Sequence, residues 1–301
     1  MDSVEVFEGL RPRLFGLAYR LLGSAAEAED MVQEAYLRWS HAGPVEVPAA
    51  WLTKVVTNLC LNQLTSSRVR RESYVGPWLP EPVVTGGGAL GPLETVEQRE
   101  SVSMGLLVLL ERLSPVERAV FVLREAFGHG HAEIAEILGI EEAHSRQSYR
   151  RARTHVGEPR KRFDSDAEQH RRIVRSFLAA TVNGDVEALA RLLADDVVAW
   201  ADGGGTTAAR RPVEGREKVA RYLRGFSLRP EAAGLAIEVA EINGAPAVLV
   251  HDPAGLLTGT PADRSGGLLA VLAVEIEDGR VSGIRTIVSP AKLAYATAQL
   301  M

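Results

Sequence analysis

The spacing of apolar residues changes character along this chain, and that change limits the folds open to it. Through residues 1–73 and again through 93–163, apolar side chains recur every third or fourth position, without strand-like alternation. A Pro- and Gly-rich break, Tyr74–Pro92, separates these helical blocks and reads as a linker. From residue 165 two more helical stretches, Ala167–Val182 and Val186–Leu193, give way to short β-rich runs. These runs are Val197–Ala201, Leu235–Ile242, Ala247–His251, Leu268–Ile276 and Val281–Val288. Asn243-Gly244 and Asp278-Gly279 fall between the last pairs, where two-residue turns close antiparallel hairpins. The expected organisation is two all-α domains at 1–73 and 93–163, joined by 74–92, and an α+β domain at 165–301.

At 301 residues the chain has room for two or three such domains. A single cysteine, Cys60, leaves no internal disulfide framework, zinc cluster or redox pair to build on. Its neighbours Val55, Val56, Leu59 and Leu61 predict a buried, inert thiol. No run approaches the roughly 20 apolar residues of a membrane span. The acidic start MDSVEVFEGLR lacks a signal-peptide layout, so a cytoplasmic protein without a membrane partner is expected.

The net charge of −5 does not advertise a nucleic-acid partner, but the local distribution does. Seven basic residues and one acid, Glu158, lie between His144 and Arg162, and Arg68, Arg70 and Arg71 form a second cluster. The first cluster overlaps a helix-turn-helix pattern. Ser114-Pro115 with Glu117 is a capping-box start for a helix to about Phe127. A short helix, His131–Leu138, ends at Gly139, and a third helix begins at Glu142. On that third helix Ser145, Tyr149, Ala152 and Val156 share one arc and predict the buried face. Arg146, Gln147, Arg150 and Arg151 spread over the opposite side. Arginine can pair bidentately with guanine and glutamine with adenine, so this face suits a major groove. A solvated basic helix end is the plainer alternative.

In the first block, Ala28–Trp39 divides into an apolar side (Val32, Ala35, Tyr36, Trp39) and a polar side (Asp30, Gln33, Glu34, Leu37, Arg38). An exposed leucine inside a charged rim suits protein docking, although a plain amphipathic helix reads the same way. After a loop at His41–Pro48 come Trp51, Lys54, Asn58 and Asn62. Trp51 can stack on an unpaired base while Asn58 or Asn62 bonds its edge, or it can anchor a core.

Taken in order, Ala18–Trp39 with Pro48–Leu64 resembles domain 2 of extracytoplasmic-function sigma factors, of the sigma-70 family. Leu109–Val156 is similar to their domain 4. WLPEP (Trp78–Pro82), DGGG (Asp202–Gly205) and SPAKL (Ser289–Leu293) resemble the signature segments of a subgroup with a fused C-terminal SnoaL-like domain, a cone-shaped α+β fold. The last segment departs from that subgroup's pattern at Ser289 and Ala291. The resemblance implies bacterial RNA polymerase core enzyme and promoter DNA as partners. It assigns Asp30, Gln33, Glu34, Leu37 and Arg38 to polymerase docking. It assigns Trp51, Lys54, Asn58 and Asn62 to the opened −10 element, and Arg146, Gln147, Arg150 and Arg151 to the −35 element. Trp78, Leu79, Asp202, Gly203 and Lys292 become the regulatory linker and pocket.

The cone fold encloses a pocket, so a small-molecule ligand or a protein partner of the C-terminal domain is a natural expectation. Asp202, His251, Asp252, Tyr222 and Arg285, among Trp200, Leu223 and Phe226, are its polar candidates. No nucleophile–base pair and no metal-ligand spacing appears, so no catalytic residue, metal or cofactor is expected. The expected role of the domain is to regulate the sigma domains through the linker. Two alternatives remain: a helix-turn-helix regulator with an effector domain, and a SnoaL-like enzyme with a DNA-binding appendage.

Overall fold

The computed structural model describes residues 3–72, 74–86, 88–90, 96–157, 167–205, 208–253 and 267–301. Its helices are α1 (Ser3–Leu22), α2 (Ala25–His41), α3 (Pro48–Glu72), α4 (Val96–Glu100), α5 (Met104–Leu110) and α6 (Pro115–Glu125). They continue as α7 (His131–Leu138), α8 (Glu142–Val156), α9 (Ala167–Val182), α10 (Val186–Leu192), α11 (Arg216–Ser227) and α12 (Pro290–Leu300). The strands are β1 (Leu193–Asp202), β2 (Val213–Glu214), β3 (Ala236–Ile242), β4 (Ala245–His251), β5 (Leu268–Glu277) and β6 (Arg280–Ile287). The chain forms two compact units, Met1–Ser73 with Gly87–Arg160, and Tyr74–Gly86 with Lys161–Met301.

In the first unit α1 is the central element, packing on α2, α3 and α6. Its apolar face places Phe7, Leu14, Leu17, Leu21 and Leu22 in the core. Two arginines are buried with it. Arg20 Nε donates to Ser101 Oγ at 2.9 Å and its Nη1 to the Gly16 carbonyl at 2.8 Å. Arg118 donates through Nε to the Arg20 carbonyl at 3.3 Å and through Nη1 to Glu111 at 2.7 Å. Burial lowers the Arg20 pKa to about 10, which leaves it charged at neutral pH, with the Phe127 ring 5.5 Å away. Buried cations need such partners, because an unpaired one costs several kcal/mol. Gly16 permits the close approach: a Cβ there would lie 2.4 Å from the Leu90 carbonyl oxygen. Cys60 is buried and free, and burial pushes its thiol pKa up, as an inert thiol requires.

The second unit is a six-stranded sheet in the order β2-β1-β6-β5-β4-β3, antiparallel except for β1 and β6. Both expected hairpin turns form. Asn243 and Asp278 take positive φ (53° and 49°), and each is followed by a glycine at 73°. These geometries close Ile242↔Ala245 and Glu277↔Arg280. One sheet face carries α9 and α11 over a core of Val174, Phe177, Leu189, Val219, Leu223, Val248 and Ile284. Four elements went unread in the sequence: the two-residue strand β2, helices α11 and α12, and a short 3-10 helix at Pro230–Gly234.

Residues 74–86 are stitched into this second unit. Val84 forms an antiparallel bridge with Ile242. Val83 donates to Asn243 Oδ1 at 3.0 Å, and Thr85 to the Glu241 carbonyl at 3.0 Å. Gln299 on α12 brackets the Val84 backbone, accepting from its N–H at 2.8 Å and donating to its carbonyl at 3.2 Å. The segment thus meets its backbone hydrogen-bonding needs as an edge strand does.

Candidate functional site

The helix-turn-helix of the first unit forms as its spacing predicts. Ser114 caps α6, accepting from Glu117 N while the Glu117 carboxylate accepts from Ser114 N at 3.1 Å. Gly139 ends α7 in the left-handed region at φ 66°. Between α7 and α8, His131 Nδ1 lies 3.0 Å from Ser145 Oγ, and the His131 ring meets Tyr149 edge-on. Burial, with Arg124 and Arg146 nearby, lowers the His131 pKa. The Tyr149 hydroxyl donates to Glu125 on α6. Ser145, Ser148, Ala152 and Val156 are buried, whereas Arg146, Gln147, Arg150 and Arg151 are all exposed. Arg146 pairs with Glu142 one turn earlier on the same helix. α8 is therefore seated by small and apolar side chains and presents long hydrogen-bonding ones.

On α2 the structure exposes Asp30, Gln33, Leu37 and Arg38 and half-buries Glu34. Leu37 is 54% exposed, beside the Arg38–Glu34 ion pair at 2.9 Å. Ser24 caps this helix through Glu27 N. Trp51 is half-buried against Trp39, with ring centroids 5.8 Å apart. Lys54 and Asn62 are exposed and Asn58 half-buried along α3. The side chains of Arg68, Arg70 and Arg71 lie outside the described residues.

The second unit gathers its polar residues at one point. Asp202, at the end of β1, is 1% exposed. Its Oδ2 accepts from Lys292 Nζ at 2.6 Å and from the Leu79 N–H at 2.7 Å. Its Oδ1 accepts from the Tyr74 hydroxyl and from Gly204 N at 3.1 Å. Lys292 Nζ also donates to the Leu79 carbonyl at 2.6 Å and lies over the Trp78 and Tyr74 rings, 4.2 and 4.7 Å from their centroids. Burial and the Asp202 bond raise the Tyr74 pKa, so its proton stays on the donor. Gly203 is buried, and a Cβ there would stand 2.7 Å from Ala208 Cβ. The five expected residues of linker and pocket therefore meet, with Tyr74 as a sixth that no motif had marked. An aromatic four positions ahead of WLPEP was the only available signal.

The other polar candidates do not join them. His251 lies 3.2 Å from Glu238, and Arg285 pairs with Glu275 while stacking over Trp200 at 4.4 Å. Tyr222 meets Phe226 edge-on at 5.1 Å, and Leu223 is in the helix-facing core. Asp252 is buried and bonds through its backbone to Gly267. Among the described residues no three His, Cys, Asp or Glu side chains could hold a metal, and no helix is long and apolar enough to cross a membrane.

Three family models match in sequence order: Sigma-70 region 2 over residues 6–70, Sigma-70 region 4 over 103–156, and a SnoaL-like domain over 174–284. The chain is 39% identical to the ECF RNA polymerase sigma factor SigJ of Mycobacterium tuberculosis, over 96% of this chain and 93% of that protein. This chain belongs to the ECF RNA polymerase sigma factors. A second relative is the probable ECF sigma factor SigI of Mycobacterium tuberculosis, 33% identical over 96% and 94% of the two chains. The crystal structure of SigJ superimposes with a TM-score of 0.77, at 39% identity, covering 97% of this chain and 98% of that one. In this ECF sigma factor, region 2 therefore spans α1 to α3, and region 4 contains α5 to α8. The SnoaL-like match contains the whole sheet except the last residues of β6.

Proposed function

We propose that this sigma factor loads bacterial RNA polymerase core enzyme onto two-element promoters in the cytoplasm, under control of its SnoaL-like domain. The observation that carries the reading is α8, whose buried Ser145, Ser148, Ala152 and Val156 leave Arg146, Gln147, Arg150 and Arg151 facing solvent. In that arrangement the four side chains read the −35 duplex through base edges. Asp30, Gln33, Glu34, Leu37 and Arg38 dock the core enzyme, with Leu37 filling a pocket inside a charged rim. Trp51, Lys54, Asn58 and Asn62 capture the unpaired −10 strand, with aromatic stacking worth about 1–3 kcal/mol per base.

Control acts through Asp202 and Lys292, which grip Leu79 by both its N–H and its carbonyl. Residues 78–79 lie in the segment between regions 2 and 4, so a gripped and a released segment are two states that a ligand or protein partner can bias. The domain acts as a regulator rather than an enzyme. What supports this reading is that, among the described residues, Asp202 pairs with Lys292, Arg285 with Glu275 and His251 with Glu238 at separate places.

The test is in vitro transcription with bacterial core enzyme on a promoter library, using the full chain, the Asp202→Ala variant and a truncation ending at Phe163. Initiation at specific promoters that requires the added chain is expected. Altered output from Asp202→Ala at equal protein level gives the sign of the control. Failure of every form to bind core enzyme would overturn the reading in favour of a duplex-binding regulator.

A further inference from the structure

The second unit divides its charge unevenly. Residues 164–301 carry 15 Lys/Arg and 18 Asp/Glu. Helices α9, α10 and α11 together hold eight of those cations and only three of the acids, Glu168, Glu187 and Glu217. The helical layer is thus net +5, and the rest of the segment net −8. Because α9 and α11 bury Val174, Phe177, Val219 and Leu223 against one sheet face, their charged residues are turned outward. Arg171, Arg172 and Arg175 on α9 and Lys218, Arg221 and Arg224 on α11 are all exposed. Among the described residues the only ion pair made by a cation of these three helices is Arg216 with Asp195, at 2.7 Å.

This pattern does not serve the fold. Like charges one helical turn apart, such as Arg171 and Arg175, repel by a few tenths of a kcal/mol, and among the described residues neither forms an ion pair, although Glu241 lines the same cleft. A dense polyanion offsets that repulsion. Duplex nucleic acid presents one phosphate charge per roughly 1.7 Å of axis and releases counterions when arginine or lysine side chains approach. We propose that the α9–α11 layer binds the phosphate backbone of duplex DNA, as a contact separate from those of regions 2 and 4. The competing occupant is an acidic protein surface centred on the tip of α11, where Leu228 is 68% exposed and Phe226 39%. One cation, Arg229, stacks on Phe226 at that apolar tip, but the others extend along two helices, and Arg171 and Arg175 line a cleft together with Glu241 and Pro246. That spread fits a phosphate track.

The proposal goes beyond promoter reading by α8 and is tested without core enzyme. Binding of the full chain to a labelled random-sequence duplex is followed by fluorescence anisotropy across a KCl series. The variants are Arg171→Gln/Arg175→Gln/Arg221→Gln/Arg224→Gln in the layer, Arg146→Gln/Arg150→Gln/Arg151→Gln in α8, and Leu228→Ser. Each lost phosphate contact should reduce the slope of log K against log salt by about 0.9. The layer variant is therefore expected to lose two or more units of slope and at least fivefold in affinity at low salt. Its thermal melting should be unchanged, since all four side chains are exposed. In holoenzyme its ranking of promoters should match the parent, whereas the α8 variant should lose that ranking. An unchanged slope in the layer variant overturns the proposal. So does an unchanged slope accompanied by weaker core-enzyme binding in the layer and Leu228→Ser variants, which assigns the patch to a protein. Loss of promoter ranking by the unaltered chain would defeat the promoter reading and leave the slope result standing.

Discussion

Asp202 accepts four hydrogen bonds from four different chain positions. Its replacement therefore tests more than one contact. Asp202→Asn keeps the shape but leaves the Lys292 ammonium buried without a counter-charge, which costs about 3–5 kcal/mol. Denaturant unfolding followed by Trp78 fluorescence, with the ring 4.2 Å from that ammonium, should report the loss. A second expectation concerns His170, which is 3% exposed and whose pKa burial lowers. The folded state resists protonation that the unfolded chain accepts near pH 6.5. Stability from this group is thus present above about pH 6.5 and lost as pH falls through the folded value. His170→Gln should flatten that acid limb in a pH series of unfolding midpoints. Of these residues, Asp202 and Lys292 were legible from motif resemblance. His170 was not, because a histidine one position off an apolar stripe looks the same in sequence whether buried or solvated.

Helix caps and hairpin turns were the elements read most faithfully, since their signals are local. Ser114-Pro115 with Glu117 and the Asn243-Gly244 and Asp278-Gly279 pairs each specify a backbone geometry within four residues. Ser114→Ala should cost about 1 kcal/mol by equilibrium unfolding, with a loosened start of α6 visible in hydrogen exchange. Replacing Gly139 by Val forces a β-branched side chain to φ 66°, and a loss of about 1–2 kcal/mol is expected, together with weaker −35 binding. Helix α11 escaped notice because only Val219, Ala220 and Leu223 are fully buried in a stretch otherwise charged or polar. α12 has only Lys292, Leu293 and Ala296 buried among its eleven residues, too few apolar positions to mark a helical face. β2 has two residues, too few for any alternation to register.

At the scale of the whole molecule, composition marked 74–92 as a spacer, and nothing local could show what residues 74–86 bond to. Their partners, Asp202, Asn243, Lys292 and Gln299, lie more than 120 positions away in sequence. Two fragments separate the roles of this segment. One beginning at Tyr74 should unfold cooperatively as the parent's second unit does. One beginning at Gly87 should be several kcal/mol less stable by chemical denaturation, because Leu79 and Val83 leave the core and Lys292 loses the Leu79 carbonyl. Equal midpoints would show that the segment is only tethered. The same sequence separation sets a clock. Lys292 follows Leu79 by 213 residues, so at roughly 5–20 residues per second a ribosome needs about 10–40 s to make the hand that closes on that peptide. For the part of that interval after residue 156, about 7–27 s, every newborn copy has both sigma regions synthesised and its clamp not yet made.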